Sequence, residues 1–198
     1  MNNILQQLPY QLILGSQSPR RQALLSGLDV AFTVMVKNTD ESFPSDITPK
    51  EICEYLCQKK GRAFETELSE HPDWLIITAD TIVSIGNEIL NKPENEEEAK
   101  LMLHKLSGKK HTVFTGVCMK TQAKEIVFSS ATQVYFGELT NEEMEYYIHT
   151  YRPFDKAGSY GVQEWIGYIA IEKIEGCYYN VMGLPVKEVY ERLKSFIQ

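Results

Sequence analysis

A chain of 198 residues, 43% of them apolar and 24% charged, has the makeup of a globular protein able to bury a sizeable core, which excludes a disordered or fibrous chain. Its formal net charge of −7 argues against a protein that coats nucleic acid, and none of its apolar runs has the length of a membrane-spanning helix. The start, Met1-Asn2-Asn3-Ile4, lacks a basic region followed by a long apolar core, so no secretory signal is expected and the cytoplasm is the expected location. The four cysteines form no Cys-x-x-Cys pair and the four histidines are scattered, a pattern of core thiols rather than zinc ligands. Any metal used should therefore be a hard, oxygen-ligated one.

Leu12-Ile13-Leu14 predicts a short buried strand, and the residues after Pro19 predict a helix. Between them lie Gly15, Ser16 and Ser18, with Arg20 and Arg21 in the first helical turn. The N–H groups of a helix start, two hydroxyls and two guanidinium groups suit an anion. A capped helix with two solvated arginines fits the same stretch equally well.

Gly27 is a natural helix end, and Ala31–Val36 alternates as a strand. The polar segment 37–44 follows, where Asp40 and Glu41 read by default as a solvated acidic loop. Thr48-Pro49-Lys50-Glu51 is a capping box that opens a helix with Cys53, Leu56, Ala63 and Phe64 on its apolar stripe. Lys60 lies on that stripe, either snorkelling to water or pointing into a cleft.

Trp74–Thr78 predicts a central strand, and extended character resumes at Thr81–Ile85. Asp80 interrupts this apolar region, at a cost unless it is paired, metal-bound or facing a cleft. Gly86-Asn87 is a hairpin turn whose return strand ends at Asn91-Lys92-Pro93, bringing Lys92 back toward Asp80. Asn95–Leu106 predicts an amphipathic helix, followed by strands at His111–Lys120 and Glu125–Phe136. Within the first of these, Thr115-Gly116 predicts a bulge or a close backbone approach. A second capping box at Thr140–Glu143 opens a helix, and a glycine-rich loop runs from Pro153 to Gln163. Ile166–Ile174 predicts a strand, and Gly183-Leu184-Pro185 introduces a last helix with Val186, Val189, Tyr190, Leu193 and Ile197 inward.

The unusual residues are the serine–arginine helix start, Glu41, Lys60, Asp80, Lys92 and the Asp155-Lys156 loop. Cations outnumber acids among them, although the whole chain is acidic. Several cations with one or two carboxylates are what polyphosphate chemistry requires, the cations neutralising phosphate oxygens and the carboxylates holding a divalent metal or activating water.

Ser16-Gln17-Ser18-Pro19-Arg20-Arg21, Ala79-Asp80-Thr81, Asn91-Lys92-Pro93, Thr115-Gly116-Val117, Asp155-Lys156-Ala157-Gly158 and Asn180-Val181-Met182-Gly183-Leu184-Pro185 together resemble the Maf family of nucleoside triphosphate pyrophosphatases, once named for an effect on septum formation. The blocks run in family order from about Leu12 to about Leu193. The resemblance implies a mixed α/β fold: one domain over residues 1–198, with a long twisted mixed sheet flanked by helices and two lobes around a central cleft, similar to the inosine triphosphate pyrophosphatases. It implies cleavage between the α- and β-phosphates of a nucleoside triphosphate, with Mg²⁺ or Mn²⁺, by a homodimer that binds neither nucleic acid nor membrane.

Carried over to this chain, the resemblance makes Asp80 the proton acceptor and a metal ligand, with Glu41 as the second metal ligand. Ser16, Arg21, Lys60, Lys92 and Lys156 match positions that line the phosphate site. Arg20, Thr81 and Gln163 resemble the subgroup acting on dTTP and UTP, whereas the subgroup acting on 7-methyl-GTP tends to carry Trp, Gln and Glu there. A glutamine amide can both donate to and accept from a pyrimidine edge. The chain departs from the family at Gln17, at Gly61 after Lys60, and at Glu164-Trp165 after Gln163. The alternatives are a 7-methyl-GTP or broader-specificity pyrophosphatase of the same family, and a nucleotide-binding regulator of septum formation without turnover. Asp80 speaks against the regulator, since a pure binder gains nothing from a carboxylate beside phosphates.

Overall fold

The computed structural model describes residues 3–197. Met1 and Asn2, on which the reading of the N-terminus partly rests, lie outside the described residues, as does Gln198. No helix among the described residues is long and apolar enough to cross a membrane.

The fold is built on one long strand, β3 (Trp74–Ile85), whose apolar and β-branched residues are buried on both faces. Strand β1 (Gln11–Leu14) lies parallel to its first half, Leu12 beside Leu75 and Leu14 beside Ile77, and carries β2 (Phe32–Val34) parallel on its other side. Strand β4 (Glu88–Leu90) returns from the Gly86-Asn87 turn against Val83–Ile85. On the opposite edge of β3 run β5 (Lys110–Lys120), β6 (Glu125–Phe136) and β7 (Ile171–Glu175), all antiparallel. The seven strands form one mixed sheet in the order β2-β1-β3-β5-β6-β7, with β4 beside the far half of β3.

This arrangement leaves an opening. β1 pairs with β3 as far as Ile77 and β4 begins at Val83, so residues 78–82 of β3 have a ladder partner on the β5 side alone. Asp80 stands in the middle of that gap. The sequence suggested two extended pieces around an interrupting carboxylate, but β3 runs unbroken through it. The carboxylate interrupts the neighbouring strands rather than its own.

Helices flank the sheet: α1 (Pro19–Ser26), α2 (Pro49–Arg62), α3 (Glu65–Glu70), α4 (Glu96–Leu106), α5 (Asn141–Tyr151), α6 (Trp165–Ala170), α7 (Tyr178–Met182) and α8 (Val186–Leu193). Both predicted capping boxes form, Thr48 with Glu51 and Thr140 with Glu143, so α2 and α5 start where the sequence places them. The predicted strand Ile166–Ile174 is corrected: its first part is α6, and β7 begins at Ile171. Ile166 and Ala170, four residues apart, are buried while Tyr168 is 83% exposed, which is helical rather than alternating periodicity. Helices α3 and α7 were not anticipated. Both are short, six and five residues, too brief to show a periodic stripe.

Alternation along β3 divides the core. Leu75, Ile77 and Ala79 pack with Leu12, Leu25, Val189 and Leu193, while Ile76 packs with Phe64 and Leu68, and Ile82 with Ile52, Cys53 and Leu56. Asp80 shares the second face, that of α2. Helix α2 comes very close to the sheet there. A methyl group at Gly116, the residue opposite Asp80 in the ladder, would lie 2.3 Å from the Cys53 carbonyl oxygen. One at Gly61 would lie 2.8 Å from the Cys118 sulfur. Of the two expectations for Thr115-Gly116, close approach is therefore the outcome, and the register across it is continuous. The same contact leaves no room for a side chain at Gly61.

His111 on β5 is buried, its Nε2 2.7 Å from the Tyr160 hydroxyl. Burial pushes its imidazole down from 6.5 to about 4. Folded His111 is thus neutral where an unfolded chain takes up a proton, and stability falls as the pH drops from 6.5 toward 4.

Two outcomes follow from this packing. Gly116→Ala drives a methyl into backbone and is expected to cost about 3 kcal/mol or more, measured by urea unfolding at pH 7. Between pH 7 and pH 4.5 the wild-type chain is expected to lose about 2 kcal/mol more stability than His111→Gln, and parallel losses in the two proteins would refute the assignment.

Candidate functional site

A cleft of about 490 Å³ opens where β3 lacks its neighbour. It is walled by the β1–α1 junction, the loop after β2, the end of α2, the β3 gap and the glycine-rich loop before α6. All ten residues singled out from the sequence line it: Ser16, Arg20, Arg21, Glu41, Lys60, Asp80, Thr81, Lys92, Lys156 and Gln163. With Lys37 and Asp155 counted, six cations face three carboxylates in an otherwise acidic protein. Such local concentration of one sign attracts anions regardless of net charge.

The acidic centre is a chain of ion pairs. Lys60, at the last turn of α2, places Nζ 2.5 Å from Asp80 Oδ1 and 2.8 Å from Glu41 Oε1. Lys92, after β4, stands 3.7 Å from the other Glu41 oxygen. Lys60 therefore points into the cleft rather than snorkelling to solvent. The hydrogen bond from Lys60 holds the Glu41 carboxyl below the usual carboxylate range. Asp80 is buried, and a buried ion pair is a poor source of stability, so its retention here speaks for chemistry. Among the described residues, no group of three or more His, Cys, Asp and Glu side chains gathers as a metal cage.

The cationic wall is built by α1. Ser18 caps that helix, accepting from the Arg21 N–H, and Pro19 occupies its first turn. Arg21 reaches across the cleft floor, donating to the Gly183 carbonyl at 2.8 Å and to the Thr81 hydroxyl at 3.0 Å. Its remaining Nη1 lies 3.4 Å from Ser16 Oγ, which also accepts from the Ser18 N–H at 3.3 Å. Thr81 Oγ1 is in turn 3.0 Å from Thr115 Oγ1, and Thr115 donates to the Asn180 carbonyl at 2.9 Å. Helix α7 is what holds these acceptors, because the buried Asn180 amide anchors it to the Val113 carbonyl and the Thr132 hydroxyl. Thr81 thus ties two walls together.

On the opposite side, Arg20 pairs with Asp155 at 2.7 Å, joining α1 to the glycine-rich loop. Asp155 also holds Lys156 at 2.8 Å. Burial pushes the Asp155 carboxyl up, but the hydrogen bonds from Lys156 and Arg20 outweigh it and leave it below the ordinary range. Gln163 lines the cleft, and its Oε1 is buried without a hydrogen-bond partner among the described residues. An unmatched acceptor in a cleft wall is costly unless a ligand supplies the donor.

The sequence assigns no role to the Gly183 carbonyl, to the Thr115 hydroxyl or, behind the cleft wall, to the Glu164 carboxylate that pairs with Lys156. Glu164 was noticed only as a departure from the family. Asp155 stood in the sequence beside Lys156, but nothing in its spacing told of Arg20.

A family model described as "Maf-like protein" matches residues 11–196. A protein of Phocaeicola vulgatus named dTTP/UTP pyrophosphatase is 50% identical over 187 residues, covering 94% of this chain and 96% of its own length. A protein of the same name from Porphyromonas gingivalis is 48% identical over 188 residues, covering 94% of each chain. One from Bacteroides thetaiotaomicron is 49% identical over 187 residues, covering 94% of this chain and 96% of itself. A crystal structure from Mycobacterium abscessus, titled as a nucleoside-triphosphatase / dITP/XTP pyrophosphatase, aligns over 92% of this chain and 91% of its own at 10% identity and a TM-score of 0.45. Matched by that model over almost its full length and close to half identical to these relatives, the chain belongs to the Maf family.

Proposed function

We propose that this protein is a nucleoside triphosphate pyrophosphatase that hydrolyses dTTP and UTP to the monophosphate and pyrophosphate. The observation that carries the reading is Asp80, a buried carboxylate in the stretch of β3 paired on the β5 side alone, held by Lys60 in a cleft that cations from α1, the β4 exit and the glycine-rich loop also line. Asp80 accepts a proton from the attacking water, whose oxygen forms a bond to the α-phosphorus as the bond to the bridging oxygen breaks and pyrophosphate leaves. Lys60 orients the Asp80 carboxylate through their hydrogen bond. Arg21, Lys92 and Lys156, with Ser16, neutralise and fix the phosphate oxygens of the bound substrate.

The donor set suits a hard divalent cation. Asp80 and Glu41 are drawn to one ammonium, and Mg²⁺ or Mn²⁺ is commonly held by one or two carboxylates with substrate phosphates and water as the remaining ligands. When bound, such an ion supplies further neutralisation of phosphate charge. Arg20, Thr81 and Gln163 set the preference for the base, and the unpartnered Gln163 oxygen supports this because a uracil or thymine N3–H offers the donor it lacks. The same reading takes the chain as one domain, a cytoplasmic homodimer with small-molecule partners, limiting incorporation of unwanted nucleotides and linked to cell-division arrest. The relatives' names support the pyrophosphatase activity alone, and the family resemblance is what suggests the rest.

Pyrophosphate release should be screened over natural and modified triphosphates with Mg²⁺ and Mn²⁺. The expected products from dTTP are thymidine monophosphate and pyrophosphate, with dTTP and UTP turned over in preference to 7-methyl-GTP. Diphosphate and orthophosphate as products would contradict the assigned bond, and preference for 7-methyl-GTP would contradict the assigned base.

A further inference from the structure

Lys156 is the most enclosed of the lysines lining the cleft, with only 7% of its surface exposed. An enclosed ammonium needs fixed partners. Asp155 supplies one at 2.8 Å, but its side chain is 56% exposed and shared with Arg20. The second is Glu164 Oε1 at 3.1 Å, on a side chain 20% exposed. Glu164 is itself held. The hydroxyl of Tyr147, whose side chain is fully buried in the core beneath the loop, donates to Glu164 Oε2 and accepts the Gly161 N–H at 3.0 Å. Burial first, and the Glu164 carboxylate second, push that hydroxyl well above its ordinary range, so it stays a donor. The Glu164 backbone is pinned as well, its N–H donating to the Gly161 carbonyl and its carbonyl accepting from the Gly167 N–H.

We propose that Glu164, locked by Tyr147, is a positioning residue that aims Lys156 at the polyphosphate of the substrate. Glu164 does not line the cleft, whereas Lys156, Gly161 and Gln163 do, so it acts through them. An ammonium carries three N–H donors. Two carboxylates flank it here, and the remaining donor capacity is left for a ligand in the cleft. Fixing the ammonium before binding removes the entropic cost of ordering a long, freely rotating side chain. The proposal rests on the triphosphate reading.

The test is a double-mutant cycle read by calorimetric titration of inorganic tripolyphosphate, with steady-state kinetics on dTTP alongside. Glu164→Asp keeps the charge but withdraws it from both Tyr147 and Lys156, and Tyr147→Phe removes the lock. Each is expected to weaken tripolyphosphate binding about 5- to 10-fold and to raise KM similarly, with kcat within about twofold. In a Lys156→Met background the same changes should alter binding less than about twofold, because their route is gone. Unchanged affinity in the wild-type background, or an equal loss with and without Lys156, would overturn the proposal. Glu164→Asp alone, with its Lys156→Met partner, decides the matter should Tyr147→Phe fail to fold. The predicted coupling in a protein that turns over no triphosphate would uphold the positioning role and overturn the hydrolytic reading instead.

Discussion

The site depends on how closely α2 lies against β3 and β5. Any side chain larger than a hydrogen at the points of contact would hold the helix off the sheet. Glycines remove that obstacle at two points, Gly116 beneath Cys53 and Gly61 beside Cys118. The buried thiols there are inert packing groups, burial pushing the Cys53 and Cys118 thiols up to about 12. With the helix brought down, Lys60 on its last turn meets Asp80, and the loop carrying Glu41 closes over both. A contact made of packing thus sets the geometry of an electrostatic centre.

The second constraint is the mismatch in length between β3 and its neighbours. A strand of twelve residues is flanked on one edge by two short strands that leave residues 78–82 uncovered. Cutting the sheet at its centre exposes successive side chains of opposite orientation to one cleft, so that Asp80 meets α2 while Thr81 meets Arg21. The cleft receives cations from α1, α2, the β4 exit and the glycine-rich loop, and each of its acids is tied to at least one of those cations. An anionic ligand therefore enters a field already organised for it, without waiting for side chains to reorient.

Much of this was legible in the residues because the signals were local. Capping boxes at Thr48 and Thr140, the Gly86-Asn87 turn and the apolar run of β3 each act over a few positions, and the structure places them as expected. The candidate residues converge on one cleft, as the polyphosphate reading required. What escaped was set by distant partners. The stretch Ile166–Ile174 looks extended in composition, yet burial of Ile166 and Ala170 on one side makes its first part helical. Asn180 stands in a family block without an assigned role, and only the fold shows its amide fastening α7 to β5 and β6. The Tyr147–Glu164–Lys156 chain joins α5 to the loop over sequence distances that no pattern links.

The central claim is that Asp80 is the group that accepts a proton in the reaction, while the cations around it bind. Asp80→Asn preserves size and a partner for Lys60, so it separates the two roles. The account predicts that this variant binds a non-hydrolysable dTTP analogue within a few-fold of the wild type while kcat for pyrophosphate release falls about 10²- to 10⁴-fold. A variant that releases pyrophosphate at the wild-type rate would contradict it.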